Sequence, residues 1–329
     1  MFPALKAVPA WAAACACAAL LAATPARAFT AFVTNERDNT VSVVDLNAMK
    51  TVATIPVGQR PRGIVLSKDG KQAYVCASDD DTIQVIDLAS RKVVGSLPSG
   101  PDPETFALDH VNDILFVSNE NDNMVTMIDV AKDKRLGEIP TGVEPEGMAI
   151  SPDGKTIINT SETTNMAHFI DYATRKVVAN VLVDPRPRVA MFKHDGSELW
   201  VTSELAGTVS VIDPVKHVVK RKIQFQVQGL RADVVQAVGL RFTPDDKLAF
   251  VALGPSNRVA VVNAQTYQVE KYLLVGQRVW QMAFTPDHKY LVTTNGLSND
   301  ISVIDVADLD VVKSIQVGRL PWGVVVAKQ

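Results

Sequence analysis

The chain has 329 residues, with 33 basic and 36 acidic side chains and a formal net charge of −3 at pH 7. Charges of both signs are mixed along the sequence, which excludes a basic stripe of the kind that binds nucleic acid or an anionic membrane surface. The composition is otherwise that of an ordinary globular protein.

The first 28 residues predict a cleaved signal peptide and therefore export to the periplasm. Lys6 precedes an apolar run, and Ala26, Arg27 and Ala28 form a small-x-small cleavage site. The apolar run is about 14 residues long, shorter than the roughly 20 residues that a membrane-spanning helix needs. We therefore expect a single mature domain covering residues 29–329, with no insertion in the membrane.

After the signal, one sequence motif recurs seven times. The units FVTNERDNTVSVVDL, YVCASDDDTIQVIDL and FVSNENDNMVTMIDV illustrate its alternating β-branched residues and its closing acid. Successive closing residues are 42 positions apart, except for one step of 50. They are Asp45, Asp87, Asp129, Asp171, Asp213, Asn263 and Asp305. A β-type repeat with a period of about 40 residues predicts a propeller with one blade per unit.

Each unit contains short strand-like runs separated by turn signals. AYVCAS, IQVIDL and VVGSLP in the second unit show the alternation typical of strands, and SKDG, SPDG and KHDG are hairpin turns whose glycine supplies positive φ. The repeats open on a second-type strand, AFVTN, and close on a first-type strand, GVVVAKQ from Gly323. We therefore predict an all-β, seven-bladed β-propeller of four-stranded blades. The C-terminal strand should join three N-terminal strands and leave no open edge in the ring.

The openings FVTN, YVCA, FVSN and WVTS, the V-x-V-I-D endings and the SPDG turns resemble the YVTN-repeat family of β-propellers. Seven such units in one exported chain are most similar to the propellers associated with catabolism that depends on pyrroloquinoline quinone (PQQ). This resemblance implies a periplasmic protein that works beside quinoprotein dehydrogenases and transporters. It implies a biological context rather than a reaction.

Residue types that often carry chemistry indicate no site in this chain. The repeated aspartate ends a third strand, where its side chain caps the following turn. Histidines such as His110 and His194 fall in separate turns, whereas metal ligands converge within about 2 Å of one ion. Cys76 is the only cysteine after residue 28, so there is no disulfide or thiolate cluster. We predict no catalytic residue, no metal site and no cofactor.

The links from the fourth strand of one blade to the first strand of the next are the most informative segments. In propellers such links ring the central channel on one face, here called the upper face. Two acidic links are flanked on each side by a double-arginine link. In ring order, the candidate residues are Arg60, Arg62, Asp102, Glu104, Glu144, Glu146, Arg186 and Arg188. Interblade salt bridges and a charged mouth that recognises a small molecule or partner are both open interpretations.

The opposite arc of the ring has a different composition. Gln236, Arg278, Trp280 and Trp322 lie beside the one long insertion, eight extra residues within QFQVQGLRADVVQAVG. Insertions in repeats map to loops, often on the binding face, and arginine beside tryptophan is typical of interface anchors. Packing of the tryptophans between blades is the alternative. We predict a ligand or partner site at the channel mouth, biased toward this arc.

Three functions fit these observations. The first is a non-catalytic binding or scaffold module, whose partner is a protein or small molecule of a periplasmic quinoprotein oxidation or transport system. The second is a metal-dependent lactonase-type hydrolase, with Asp102, Glu104, Glu144 and Glu146 as calcium ligands; the flanking arginines argue against it because they neutralise these acids. The third is a propeller subunit of an electron-transfer dehydrogenase. We predict the first function, with no nucleic acid as a partner.

Overall fold

The structure is a computed structural model that describes residues 1–4 and 29–328. The predicted signal peptide therefore lies outside the described residues from position 5 onward. Over the described ranges, no helix has the length and hydrophobicity that a membrane span requires.

Within residues 29–328, twenty-eight β-strands and two short 3-10 helices make up the fold. The first three strands are β1 (Phe29–Asn35), β2 (Thr40–Asp45) and β3 (Lys50–Pro56). The next two groups of four are β4 (Pro61–Leu66), β5 (Gln72–Ala77), β6 (Thr82–Asp87), β7 (Lys92–Pro98), and β8 (Pro103–Asp109), β9 (Ile114–Asn119), β10 (Met124–Asp129), β11 (Lys134–Pro140). They are followed by β12 (Pro145–Ile150), β13 (Thr156–Ser161), β14 (Met166–Asp171), β15 (Lys176–Leu182), and by β16 (Pro187–Phe192), β17 (Leu199–Ser203), β18 (Thr208–Asp213), β19 (Val218–Gln224). The last nine are β20 (Leu240–Phe242), β21 (Leu248–Ala252), β22 (Arg258–Asn263), β23 (Val269–Leu274), β24 (Val279–Phe284), β25 (Tyr290–Asn295), β26 (Asp300–Asp305), β27 (Asp310–Gln316) and β28 (Pro321–Lys328). The 3-10 helices are Ser78–Asp80 and Ala232–Val234.

The strands form seven antiparallel four-stranded sheets, which confirms the predicted architecture. Blade 1 has the strand order β28-β1-β2-β3, and blades 2 to 7 each use four consecutive strands from β4 onward. The first strand of each blade contacts the first strands of both neighbours, so these seven inner strands surround the central channel.

Blade 1 closes the ring as the sequence predicts. β28 pairs with β1 in antiparallel register, with Val326 opposite Ala31 and Val324 opposite Val33. The side chains of these four residues are buried in one core, which blade 1 shares with blade 7. Closure gives the first and last parts of the fold a shared hydrogen-bonded sheet and pairs the edge of β1 that would otherwise be open.

Both faces of each blade pack against neighbouring blades, which explains the continuous apolar runs in the second and third strands. The core between blades 5 and 6 is built around Trp200, which has no solvent exposure and packs edge-on against Phe242. The repeated aspartates cap turns as predicted. Asp45 Oδ1 accepts hydrogen bonds from the backbone N–H groups of Asn47 and Ala48, both at 2.9 Å.

The insertion lies between β19 and β20, where residues 225–239 replace the four-residue link of the other blades. Val235 and Ala237 are buried in the same core as Trp200. Residues 229–233 are exposed. The insertion therefore extends the core between blades 5 and 6 and also adds an exposed loop.

A buried carboxylate, that of Glu198, connects the same pair of blades. Glu198 accepts hydrogen bonds from Tyr267 Oη at 2.6 Å and Trp200 Nε1 at 3.0 Å. Its oxygens also lie 3.0 Å from Lys193 Nζ and 2.8 Å from Lys220 Nζ. This network satisfies both carboxylate oxygens and links blade 5 to blade 6.

Candidate functional site at the channel mouth

The predicted link residues lie at the upper face, where the same backbone conformation and the same interblade hydrogen bond recur in six links. Six of them adopt left-handed backbone conformations: Arg60, Asp102, Glu144, Arg186, Arg278 and Leu320. Each donates its N–H to an asparagine or aspartate side chain of the preceding blade, as Arg60 does to Asn39 Oδ1 at 3.1 Å and Arg278 to Asn257 Oδ1 at 2.9 Å. A left-handed non-glycine residue costs about 1–3 kcal/mol, so these interblade bonds are needed to keep the links in place.

Two positions further on, the inner-strand residues are fixed by a second interblade bond. Thr34 Oγ1 donates to the Arg62 carbonyl at 2.8 Å, and Thr160 Oγ1 donates to the Arg188 carbonyl at 2.8 Å. The inner strands also approach one another closely. A Cβ atom on Gly147 would lie 2.0 Å from the Arg188 carbonyl oxygen, so this position requires glycine. The side chains at the mouth therefore project from a rigid ring.

The first group of charged side chains joins blades 1, 2 and 3. Glu104, which has no exposed surface, lies 2.7 Å from Arg62 Nη2 and 3.2 Å from Arg60 Nη2. Arg60 also pairs with Asp102. Arg62 reaches back to Glu36 at 3.3 Å. The arginines and acids that the sequence places on neighbouring links are thus in direct contact.

The second group joins blades 4 and 5 to the link between blades 6 and 7. Arg188 pairs with Glu146 at 2.9 Å and with Glu162. Arg186 lies 2.8 Å from Glu162 and 3.2 Å from Glu204. Glu204 in turn pairs with Arg278 at 3.1 Å, so this group extends into the arc that carries tryptophan.

Sequence reasoning missed five of the nine acids at the mouth, and four of these five share one position of the repeat. Four glutamates directly follow second strands, in the segments FVTNE, FVSNE, INTSE and WVTSE, at spacings of one or two 42-residue repeats: Glu36, Glu120, Glu162 and Glu204. Their backbone N–H groups donate to link carbonyls, as Glu204 does to Arg186 at 2.8 Å, and this brings them to the mouth. The repeated glutamate is visible in the sequence. Its proximity to the links is not, because the two segments are about 20 residues apart in the chain.

The mouth consequently holds more acids than bases. The acids are Glu36, Asp79, Asp102, Glu104, Glu120, Glu144, Glu146, Glu162 and Glu204, and the bases are Arg60, Arg62, Arg186, Arg188 and Arg278. Among the described residues, Glu120 and Glu144 have no ion pair with a basic side chain. Of the four acids on the acidic links, Asp102, Glu104 and Glu146 pair with arginine as expected, whereas Glu144 does not.

Crowding of carboxylates changes their acidity. Burial raises the pKa of Glu104 well above its ordinary value, although Arg62 opposes the shift. Burial also raises the pKa of Glu120, and the neighbouring Glu146 and Asp102 raise it further. One carboxylate oxygen each from Asp102, Glu104 and Glu120 lie within 4.8 Å of one another, and Glu120, Glu144 and Glu162 form a second such triad. Oxygen donors in such triads suit a hard cation such as calcium.

The tryptophan arc separates into a surface part and a channel part. Trp280 is partly exposed, and the guanidinium carbon of Arg278 lies 4.4 Å from its ring centroid. Gln236 Oε1 accepts a hydrogen bond from Arg278 at 3.2 Å, which attaches the insertion to this pair. Trp322, in contrast, is 2% exposed and lies under Arg62, 4.6 Å from its guanidinium carbon. Trp322 thus packs between blades and lines the channel, while Trp280 and Arg278 face the mouth.

Comparison with known proteins agrees with this architecture. The family described as YNCE-like beta-propeller matches residues 6–113. This part of the chain is similar to that family. A search of curated proteins gives no match.

Several solved structures share the fold. Hydrazine synthase of Kuenenia stuttgartiensis superposes with a TM-score of 0.71 at 19% identity, covering 82% of this chain and 95% of the other. A candidate 6-phosphogluconolactonase of Bacteroides uniformis gives 0.76 at 17% identity, covering 92% and 100%. A protein of unknown function from Desulfotomaculum acetoxidans gives 0.77 at 14% identity, covering 91% and 99%. Such low identities establish similarity of fold alone.

Proposed function

We propose that this protein is an exported, non-catalytic binding module of the periplasm, whose upper channel mouth holds a partner protein or small molecule of a quinoprotein alcohol-oxidation or transport system. The YVTN-type repeats support the biological context. The site residues named above include no serine, cysteine or histidine that could act as a nucleophile with an activating base.

The observation that carries the proposal is the combination of rigidity and accessibility at the mouth. Interblade hydrogen bonds and ion pairs fix the ring, while Trp280, Glu120 and Glu144 keep part of their surface exposed. Preorganised side chains lose little conformational freedom on binding, and a partly exposed tryptophan beside arginine is a frequent anchor. An excess of carboxylates beside that anchor favours a partner with cationic groups.

The test is capture from a periplasmic extract of cells grown on an alcohol, with the full chain immobilised and the bound proteins and metabolites identified by mass spectrometry. Trp280→Ala should weaken retention by about 2 kcal/mol or more, because it removes the accessible aromatic surface. Arg319→Ala is the matched control: Arg319 lies on the link between blades 7 and 1, is largely exposed and pairs with Asp38 rather than with Trp280. Equal retention by the wild-type protein and the Trp280→Ala variant, with the latter folded, would contradict the proposal.

A second candidate is a calcium-dependent lactonase-type hydrolase, which the two carboxylate triads favour. Glu120 belongs to both triads, so Glu120→Gln should remove calcium binding if either triad holds the ion. The measurement is calcium titration by calorimetry together with hydrolysis of lactones. Stoichiometric calcium that is required for a lactone-hydrolysing activity, and that Glu120→Gln abolishes, would favour this function over the binding module.

A further inference from the structure

One charged residue interrupts a ring of equivalent positions on the seven inner strands that is otherwise apolar, and this residue and Met191 line the central cavity. Each inner strand contributes one residue to this ring, three positions after the residue at the mouth. Its members are Val65, Ala107, Ala149, Met191, Arg241, Ala283 and Val325. Six are apolar, and Arg241 in β20 is the exception.

Arg241 has no charged partner in the described part of the chain. Its one hydrogen bond runs from Nη1 to the carbonyl of its own neighbour, Leu240, at 2.7 Å. The other arginines of the channel are paired: Arg62 with Glu104 and Arg188 with Glu146. Burial lowers the pKa of Arg241 to about 10, so the guanidinium still carries its charge at neutral pH.

Arg241 lines a cavity of about 210 Å³ together with two further polar side chains that lack protein partners. Gln281 is 7% exposed, and its side-chain amide makes no hydrogen bond within the described residues. The indole N–H of Trp322 is buried and likewise finds no acceptor there. Buried polar groups are normally hydrogen-bonded, so the buried indole N–H and the buried amide beside a partly buried, unpaired guanidinium indicate a missing partner.

All three groups can donate hydrogen bonds to a ligand. The guanidinium offers a planar fork of N–H donors, the indole offers one N–H, and the amide offers two further donors and an acceptor. The remaining walls are largely apolar and include Phe106, Met148 and Met191. The volume is below the roughly 300–1,000 Å³ of sites for drug-sized ligands.

Packing does not explain Arg241. Met191 occupies the equivalent place in blade 5, so the ring accepts an unbranched apolar side chain of similar length. An uncompensated buried charge weakens a fold, and a structural role would be served better by methionine. The residue is therefore explained best by something it binds.

We propose that the central channel contains a binding site for a small organic carboxylate, held by Arg241 with Gln281 and Trp322, with the apolar part of the ligand against the methionines and Phe106. A carboxylate accepts the parallel N–H bonds of a guanidinium, a geometry that a spherical anion does not match. This site lies further along the channel than the mouth, and it does not depend on the mouth's binding a partner.

The test uses the full mature chain and calorimetric titration with acetate, glycolate and succinate. Acetamide serves as the uncharged analogue of acetate, and inorganic phosphate as a second type of anion. At least one carboxylate should bind with a Kd of about 1 mM or tighter. Arg241→Met should weaken that binding at least tenfold, on the order of the loss of one bidentate charged contact. Gln281→Leu should also weaken it, and acetamide should not bind.

A thermal melt of each variant without ligand distinguishes loss of the binding site from loss of the fold. Arg241→Met should melt at or above the wild-type temperature, because it removes an unpaired buried charge. Arg231→Met is the matched control, since it removes the same charge from the exposed insertion loop, and it should bind carboxylates like the wild type. Three results would overturn the proposal: no carboxylate bound by the wild type, equal affinity in Arg241→Met, or phosphate bound in preference to every carboxylate. Should Arg241→Met fail to fold, Arg241→Lys replaces it, and unchanged affinity in that variant would equally overturn the site.

Discussion

Replacement of Glu198 by glutamine tests the buried network between blades 5 and 6. The side chain of Glu198 is 5% exposed and is surrounded by donors from Lys193, Lys220, Trp200 and Tyr267. Despite burial, which alone would raise it, these hydrogen bonds lower the pKa of Glu198 from 4.5 to about 2. A glutamine has the same size but would direct its NH2 group at donors and carry no charge to pair with the lysines.

The magnitude follows from the pKa difference between the folded and unfolded states. A shift from 4.5 to about 2 corresponds to about 3 kcal/mol, because each pKa unit is worth about 1.4 kcal/mol. The folded-state pKa is the lower one, so this contribution is fully present above the unfolded pKa and is lost as pH falls toward the folded pKa. The gap in stability between wild type and Glu198→Gln should therefore be about 3 kcal/mol at pH 7 and about 2 kcal/mol at pH 3.5.

Urea denaturation of both proteins at a series of pH values between 7 and 3.5 measures this gap. Glu270→Gln provides the control, since Glu270 is exposed and contacts only Asn263 among the described side chains. The control should track the wild type within about 0.5 kcal/mol at every pH. Parallel curves for wild type and Glu198→Gln, separated by a constant amount or not at all, would refute the assignment of a depressed pKa to this carboxylate.

Two further predictions concern the geometry of the ring. Gly147→Ala should destabilise the protein by about 1–3 kcal/mol or more, because its Cβ would lie 2.0 Å from the Arg188 carbonyl oxygen, whereas Gly95→Ala, which meets nothing within 4 Å, should be nearly neutral in the same denaturation experiment. Deletion of residues 321–329 should remove β28 from blade 1, expose the apolar edge of β1 and abolish the cooperative thermal transition; a deletion variant that melts within a few degrees of the intact protein would contradict closure by this strand.

The architecture was predictable because the sequence repeats the same strand pattern in every blade. Seven copies of one motif and their period determine blade number, and the unmatched strands at the two ends determine closure. The turn aspartates were equally readable, because an Asx cap is local and involves residues two or three positions apart.

The site was predictable only in part, because its residues come from segments that the topology alone brings together. The links were identified, and the structure places Arg60, Arg62, Asp102 and Glu104 in contact. The glutamates that follow the second strands were missed, since their approach to the links depends on backbone hydrogen bonds across a blade. Trp322 and Trp280 look equivalent in sequence, at the same position of adjacent repeats. Trp322 is nevertheless buried beneath Arg62, while Trp280 remains partly exposed beside the insertion.

The measurement that tests the central claim most directly is the comparison of wild type, Trp280→Ala and Arg319→Ala in capture from the periplasmic extract. The account predicts that a component of a quinoprotein oxidation or transport system is retained by the wild type and by Arg319→Ala. It also predicts that Trp280→Ala, still folded by its thermal melt, retains that component about thirtyfold more weakly. The same set of molecules on all three proteins, or nothing retained by the wild type, would contradict a binding function for the channel mouth.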